Sequence, residues 1–133
     1  MDFFLHIKPP TATHQEKQVR IVHGKPLFYD PAPVKDAKNL LIAHLYPHKP
    51  EKPFKGAVAL STVWLFPRGT AHKNGEWRIT KPDTDNLQKL LKDCMTRTGF
   101  WKDDSQVCVE MISKRWARRK PGIGIKVVSL VDE

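Results

Sequence analysis

Acidic residues that could bind a metal are concentrated in two short segments of this 133-residue chain. The first contains Asp83 and Asp85, and the second contains Asp103 and Asp104, directly after Trp101-Lys102. Carboxylate oxygens are the ligands that hard cations such as Mg²⁺ prefer. The formal net charge is +9, so a site of this kind would lie in a positive surface. That combination suits the cleavage of a phosphodiester.

Both segments also have an ordinary structural explanation. An Asp at the start of a helix can cap its free N–H groups, and Asp103-Asp104 can form a plain turn. Lys89 follows Asp85 by one helical turn, so the two can form a salt bridge. A cap needs only one acid, however, and the chain between the pairs can bring the second pair back beside the first. We therefore predict converging carboxylates, with Lys89 stabilising charge on a phosphate.

The overall composition favours an anionic partner. Lys and Arg total 23 against 14 Asp and Glu, with a pI near 9.7, which is typical of proteins that bind nucleic acids. No segment approaches the roughly 20 apolar residues of a membrane span, and the amino terminus does not resemble a signal peptide. We expect a cytoplasmic protein that does not bind membranes. The two cysteines lack zinc-site spacing.

Basic residues flank the carboxylates on both sides. A solubilising surface would explain any one of them, but contacts with DNA phosphates explain the whole set better. The predicted DNA-binding residues are Lys73, Arg78, Lys81, Lys114, Arg115, Arg118, Arg119 and Lys120.

The hydrophobic pattern predicts about five strands and two amphipathic helices. The helices are predicted over 31–46, with Ala37, Leu40, Leu41, His44 and Leu45 on one face, and over 82–98. The strands are predicted over 2–7, 58–66, 106–116 and 124–131, with a hairpin over 19–29. We therefore expect one α+β domain over residues 1–133, a two-layer arrangement with both helices on one face of a mixed sheet.

Two motifs at this spacing carry a family resemblance. Asp83-x-Asp85-Asn86-Leu87-x-Lys89, followed by Gly99-Phe100-Trp101-Lys102-Asp103-Asp104-x-Gln106-Val107, resembles the RusA family of Holliday junction resolvases. The resemblance implies a Mg²⁺-dependent endodeoxyribonuclease, with Mn²⁺ as a substitute, that acts as a homodimer on four-way DNA junctions. It implies that Asp83, Asp85 and Asp104 are catalytic metal ligands, that Lys89 is catalytic, and that Asp103 is a lesser metal ligand.

Two other functions remain open at this point. The protein could cut other branched DNA, or it could bind DNA without cutting it. A homodimer would supply two active sites for paired symmetric nicks. Its interface is expected to use exposed apolar residues of a closing strand or the amino-terminal run Phe3-Phe4-Leu5.

Overall fold

The computed structural model describes residues 1–13 and 18–130. Within these ranges the helices are α1 (Ala32–Leu45) and α2 (Thr84–Thr98). The strands are β1 (Asp2–Leu5), β2 (Gln18–Val22), β3 (Lys25–Tyr29), β4 (Val58–Phe66), β5 (Val107–Trp116) and β6 (Gly122–Ser129).

Four strands form a mixed sheet in the order β1-β6-β4-β5. β6 is antiparallel to both of its neighbours, and β4 runs parallel to β5. β5 is therefore the edge strand on the side opposite β1. The strands β2 and β3 form a separate two-stranded hairpin. Its turn residues His23 and Gly24 both have positive φ angles, as a tight two-residue hairpin turn requires.

The helices cover one face of the four-stranded sheet. Along β4, alternate residues from Val58 to Phe66 are buried, which is the period of two expected of a strand with one covered face. These side chains share a single core with apolar residues of both helices, including Leu41 of α1 and Leu91 of α2. The predicted α+β architecture, with both helices on one face of a mixed sheet, is confirmed.

The structure corrects several details of the sequence interpretation. There are six strands among the described residues instead of about five, and two of them lie outside the main sheet. In α1, Leu40 is 40% exposed, and the polar residue Lys38 is buried beside Asp30 instead. The predicted last strand, 124–131, begins earlier, and its end at Val131 lies outside the described residues.

The amino-terminal run is divided between the two faces of the sheet. Leu5 is 1% exposed, and Phe3 packs against the core and stacks on His48 and Phe100. Phe4 points to the opposite face, where it lies beside Gly122 and His6, so within this run only Phe4 remains candidate interface material. Within the four-stranded sheet, exposed apolar residues lie on the uncovered face, at Val63, Val109, Met111 and Val128.

β1 approaches β6 closely at Gly122. A Cβ atom at this position would overlap the Phe4 ring and the Leu5 carbonyl oxygen. We expect Gly122→Ala to lower the free energy of unfolding by about 1–3 kcal/mol, the usual cost of overpacking. Chemical denaturation measures this change.

Gly124→Ala is the matched control for this substitution. A Cβ atom at Gly124 would meet its nearest neighbours, in Phe4 and Val63, at 3.8 Å, which is ordinary van der Waals contact. Equal stability of the two variants would contradict the close approach at Gly122.

Candidate active site

Two basic side chains hold the segment that leads into α2. The Arg78 guanidinium donates two hydrogen bonds to the Lys81 carbonyl oxygen, at 2.6 and 3.2 Å. Lys114 Nζ donates to the carbonyl oxygens of Thr80 and Pro82, the latter at 2.7 Å. The peptide bond between Lys81 and Pro82 is cis. Because these contacts fix the residues just before Asp83, they set where α2 begins.

The acidic residues at this end of α2 do not serve the structural roles that their positions suggest. Asp83 is the residue before the first turn, yet its side chain makes no capping hydrogen bond. No ion pair joins Asp85 to Lys89 among the described residues. All three side chains are exposed. The structure therefore leaves two carboxylates and one ammonium group available to a ligand.

The second carboxylate pair lies in a tightly organised turn before β5. Asp103 Oδ1 accepts a hydrogen bond from the Ser105 N–H at 2.9 Å, and Gln106 Oε1 accepts from the Asp103 N–H. The Gln106 amide also donates to the carbonyl oxygens of Phe54 and Gly56. Gln106 therefore anchors the turn, which presents the half-buried residue Asp104.

Hydrogen bonds in this turn lower the pKa of Asp103. The backbone hydrogen bond from Ser105, followed by one from its side chain, holds the pKa of Asp103 below its usual value. The carboxylate form of Asp103 therefore stabilises the turn above the ordinary pKa of an aspartate. This contribution is lost as the pH falls through the lowered pKa.

Within one chain the two carboxylate pairs lie at opposite ends of α2. This helix runs antiparallel to β5, since Pro82 contacts Lys114 near the end of the strand while Lys92 pairs with Glu110, at 2.8 Å, closer to its start. Asp103 and Asp104 precede that start. The 15 residues of α2 span about 22 Å at roughly 1.5 Å per residue.

The predicted convergence of the two pairs is therefore not found within a single chain. In the part of the chain that the structure describes, no three His, Cys, Asp or Glu side chains form a group that could hold a metal ion. Asp83 and Asp85 share the amino end of α2. Asp103 and Asp104 instead line a cavity at its other end, of about 340 Å³, with Asp93, Thr96, Arg97 and Lys102.

Three of the eight predicted DNA-binding residues are used inside the protein. Arg78 and Lys114 hold the loop as described, and the Arg115 guanidinium donates to the Gly75 carbonyl oxygen. Burial, and then the nearby Arg78 charge, lower the pKa of Lys114, while Asp83 opposes this shift. The exposed members of the predicted set are Lys73, Lys81, Arg118, Arg119 and Lys120.

Sequence reasoning missed an aromatic cluster beside this loop. His72 stacks on Trp116 with ring centres 3.9 Å apart, and the Arg78 guanidinium lies over the rings of both Phe66 and Trp116. The alternation of aromatic and basic residues between 64 and 78 could have indicated it. Only the fold, however, brings Trp116 beside that segment.

Substituting Lys114 should reveal its part in holding the loop. Lys114→Met removes the donor to two carbonyl oxygens, so we expect the free energy of unfolding to fall by about 1–2 kcal/mol. Denaturation without DNA measures this change. Lys126→Met, at an exposed lysine of β6, is the control, and an equal effect of the two would contradict the role of Lys114.

Comparison with known proteins identifies the family of this chain. The family described as Endodeoxyribonuclease RusA matches residues 8–128, a range that contains both carboxylate pairs and Lys89. A protein named crossover junction endodeoxyribonuclease rusA, from Lactococcus phage r1t, is 33% identical over 125 residues, covering 92% of each chain. The uncharacterized protein YqaN of Bacillus subtilis (strain 168) is 30% identical over 105 residues, covering 71% of this chain and 73% of that protein. The chain belongs to the RusA family of endodeoxyribonucleases.

Proposed function

We infer that this protein is a metal-dependent endodeoxyribonuclease that resolves four-way DNA junctions, acting as one nuclease domain over residues 1–133. The main support is the amino end of α2, where Asp83, Asp85 and Lys89 are exposed. Asp83 makes no capping hydrogen bond, and Asp85 and Lys89 do not pair with each other. Membership of the RusA family, and the activity for which the phage relative is named, support this assignment.

The groups at this site have distinct proposed roles. Asp83 and Asp85 supply hard oxygen ligands, for which Mg²⁺ is the matching ion and Mn²⁺ a substitute. When bound by these carboxylates, such an ion would lower the pKa of an attacking water and stabilise the leaving oxygen. The Lys89 ammonium group lies one turn from Asp85 and stabilises negative charge on the scissile phosphate.

Asp104, with Asp103 as a lesser ligand, is proposed to complete the metal site from a second copy of the chain. Within one chain this pair is separated from Asp83 and Asp85 by the length of α2. A two-fold axis across the middle of β5 would reverse the strand, because such an axis exchanges the two ends of the element it crosses. The turn of one protomer would then lie near the amino end of the partner's α2.

The middle of β5 has the surface that such a dimer needs. Val109 is 54% exposed and Met111 is 70% exposed on the uncovered face of this edge strand. Water-exposed apolar side chains of this size stabilise an interface when they are buried. A stable dimer would bury more than about 1,000 Å² in total.

The exposed cations provide the proposed DNA surface. Lys73, Lys81, Arg118, Arg119 and Lys120 are free to reach phosphates, and Arg118 packs over Gly75 near the loop that leads to Asp83. Arg68 and Lys8 join Arg118 and Arg119 around a cavity of about 280 Å³. We propose a cytoplasmic location, because the two relatives come from a bacterial phage and a bacterium, whose DNA lies in the cytoplasm. No helix among the described residues is long and apolar enough to span a membrane.

Synthetic DNA substrates separate this function from its two alternatives. The protein is incubated with four-way junctions, flaps and forks, with and without Mg²⁺. Paired symmetric nicks in the four-way junction support resolution. Equal cutting of many branched forms would assign a broader structure-specific nuclease, and binding without cutting would assign a DNA-binding protein.

A mixing experiment tests whether the site is shared between two chains. We expect Asp85→Asn and Asp104→Asn each to abolish cleavage alone, because each removes a ligand charge. When the two variants are mixed, a heterodimer has one shared site with both defects and one with none. In an equal mixture that exchanges freely, about half of the dimers are heterodimers, so we expect single nicks in the junction to return from about a quarter of all sites.

Sites contained within one chain would give a different result. Every site in the mixture would then carry one defect, and no nicking would return. Mixing Asp85→Asn with Asp83→Asn is the control, because both defects lie at the same end of α2 and no combination of these chains makes an intact site.

Lys89 should matter more for rate than for binding. We expect Lys89→Ala to lower the cleavage rate at least tenfold, because charge stabilisation in the transition state is lost. Junction affinity should change less than threefold, since one phosphate contact among many contributes little. Single-turnover cleavage and fluorescence anisotropy measure the two quantities. Lys126→Ala is the control, and equal losses of rate and affinity would assign Lys89 to docking.

A further inference from the structure

An exposed apolar surface lies on the loop that leads into the proposed active site. Ile79 is 91% exposed and Trp77 is 57% exposed. These two residues line a cavity of about 390 Å³ together with His72, Glu76, Thr80 and Trp116. Large apolar side chains this open to water usually mark a binding surface when they are contiguous. The loop residue Thr80 is only three positions before Asp83.

Contacts with β5 hold Trp77 in place. The Arg115 guanidinium lies 3.4 Å from the centre of the Trp77 ring, and Trp77 pairs with Arg115 as an isolated antiparallel bridge. Backbone hydrogen bonds from Trp116 N–H to Glu76 and from Arg78 N–H to Lys114 extend this pairing along the free edge of β5. Trp77 is therefore a fixed platform with one side covered by Arg115 and much of its remaining surface open.

The chemistry around the platform fits a flat, partly polar ring attached to a negative backbone. The indole of Trp77 and the Ile79 side chain offer apolar contact, and Thr80 offers a hydroxyl group at the cavity wall, where the Glu76 carboxylate pairs with His72 at 2.9 Å. Lys81 is exposed close by, and Arg115 carries its charge directly behind the ring. Aromatic side chains beside cations bind unpaired bases of nucleic acids in this way.

We propose that Trp77 and Ile79 form a nucleobase site, which takes a base displaced from its stack at the branch point of the DNA. Ile79 acts as the wedge that enters between neighbouring bases, and the Trp77 ring stacks on the freed base. Apolar wedges of this kind unstack and bend DNA. The inference rests on the proposed function, because it assigns to the same substrate a second contact beside the scissile phosphate.

The test combines a change in the protein with a change in the DNA. Affinities are measured by fluorescence anisotropy in the Asp85→Asn background, which prevents cutting. The substrates are a four-way junction and a series in which each nucleotide at the branch point in turn lacks its base. We expect Trp77→Ala to weaken binding to the intact junction by about five- to a hundredfold.

The same substitution should have less than a twofold effect when the contacted base is absent. The Trp77→Ala substitution and the missing base then form a double-mutant cycle, because each change alone removes the same contact between the ring and the base. Trp77→Phe keeps a ring and should retain most of the affinity, so it serves if the alanine variant does not fold. Tyr46→Ala, at an aromatic residue that is 61% exposed beyond α1, is the matched control and should not alter affinity.

Other outcomes separate this inference from the proposed function. If Trp77→Ala weakens binding equally on every junction, or on none, the nucleobase site is wrong while junction cleavage stands. Pairing of Trp77 with a protein surface would also leave DNA affinity unchanged and would overturn the site. If the wild-type protein neither binds nor cuts branched DNA, both the site and the proposed function are wrong.

Discussion

The antiparallel packing of α2 along β5 is the constraint on which the arrangement of this protein depends. Lys114 contacts the segment before the helix, and Glu110 pairs with Lys92 further along it. Because a helix is a stiff rod, these contacts keep its two ends apart. The packing that buries Leu87 and Leu91 in the core thus also separates the carboxylates that the proposed metal site would combine. Folding and the proposed catalysis make opposite demands here, which the proposed second chain would satisfy.

Much of the fold could be predicted from the sequence because its elements have clear periods. The alternation from Val58 to Phe66 and the helical spacing from Leu87 to Met95 each depend on neighbours in sequence. The end of α2 could also be predicted locally, because glycine readily adopts the positive φ that Gly99 has there. The order of the strands was not predictable in this way. That β1 is an edge strand with Leu5 buried depends on residues more than a hundred positions away.

The candidate site was predictable in its residue types but not in its geometry. Asp83, Asp85 and Lys89 stand out by their spacing, and the structure shows that Asp83 makes no capping hydrogen bond and that Asp85 and Lys89 form no ion pair with each other. The sequence could not tell which cations face outward. Arg78, Lys114 and Arg115 carry the same charge as Arg119, but their donors are directed to carbonyl oxygens of the protein. Every residue has a carbonyl oxygen of this kind, so the sequence does not show which of them accept these hydrogen bonds.

Those main-chain acceptors have a consequence for how this enzyme can change over evolutionary time. Apart from the Arg78 side chain, the segment from Gly75 to Pro82 is fixed through its carbonyl and amide groups, which a substitution at Ile79 by any residue other than proline preserves. Its shape is therefore largely independent of the side chains at positions such as Ile79, which is almost fully exposed. Mutations there can alter what the loop touches at little cost in stability. The loop beside the carboxylates is in this sense a region where new substrate preferences can arise without loss of the fold.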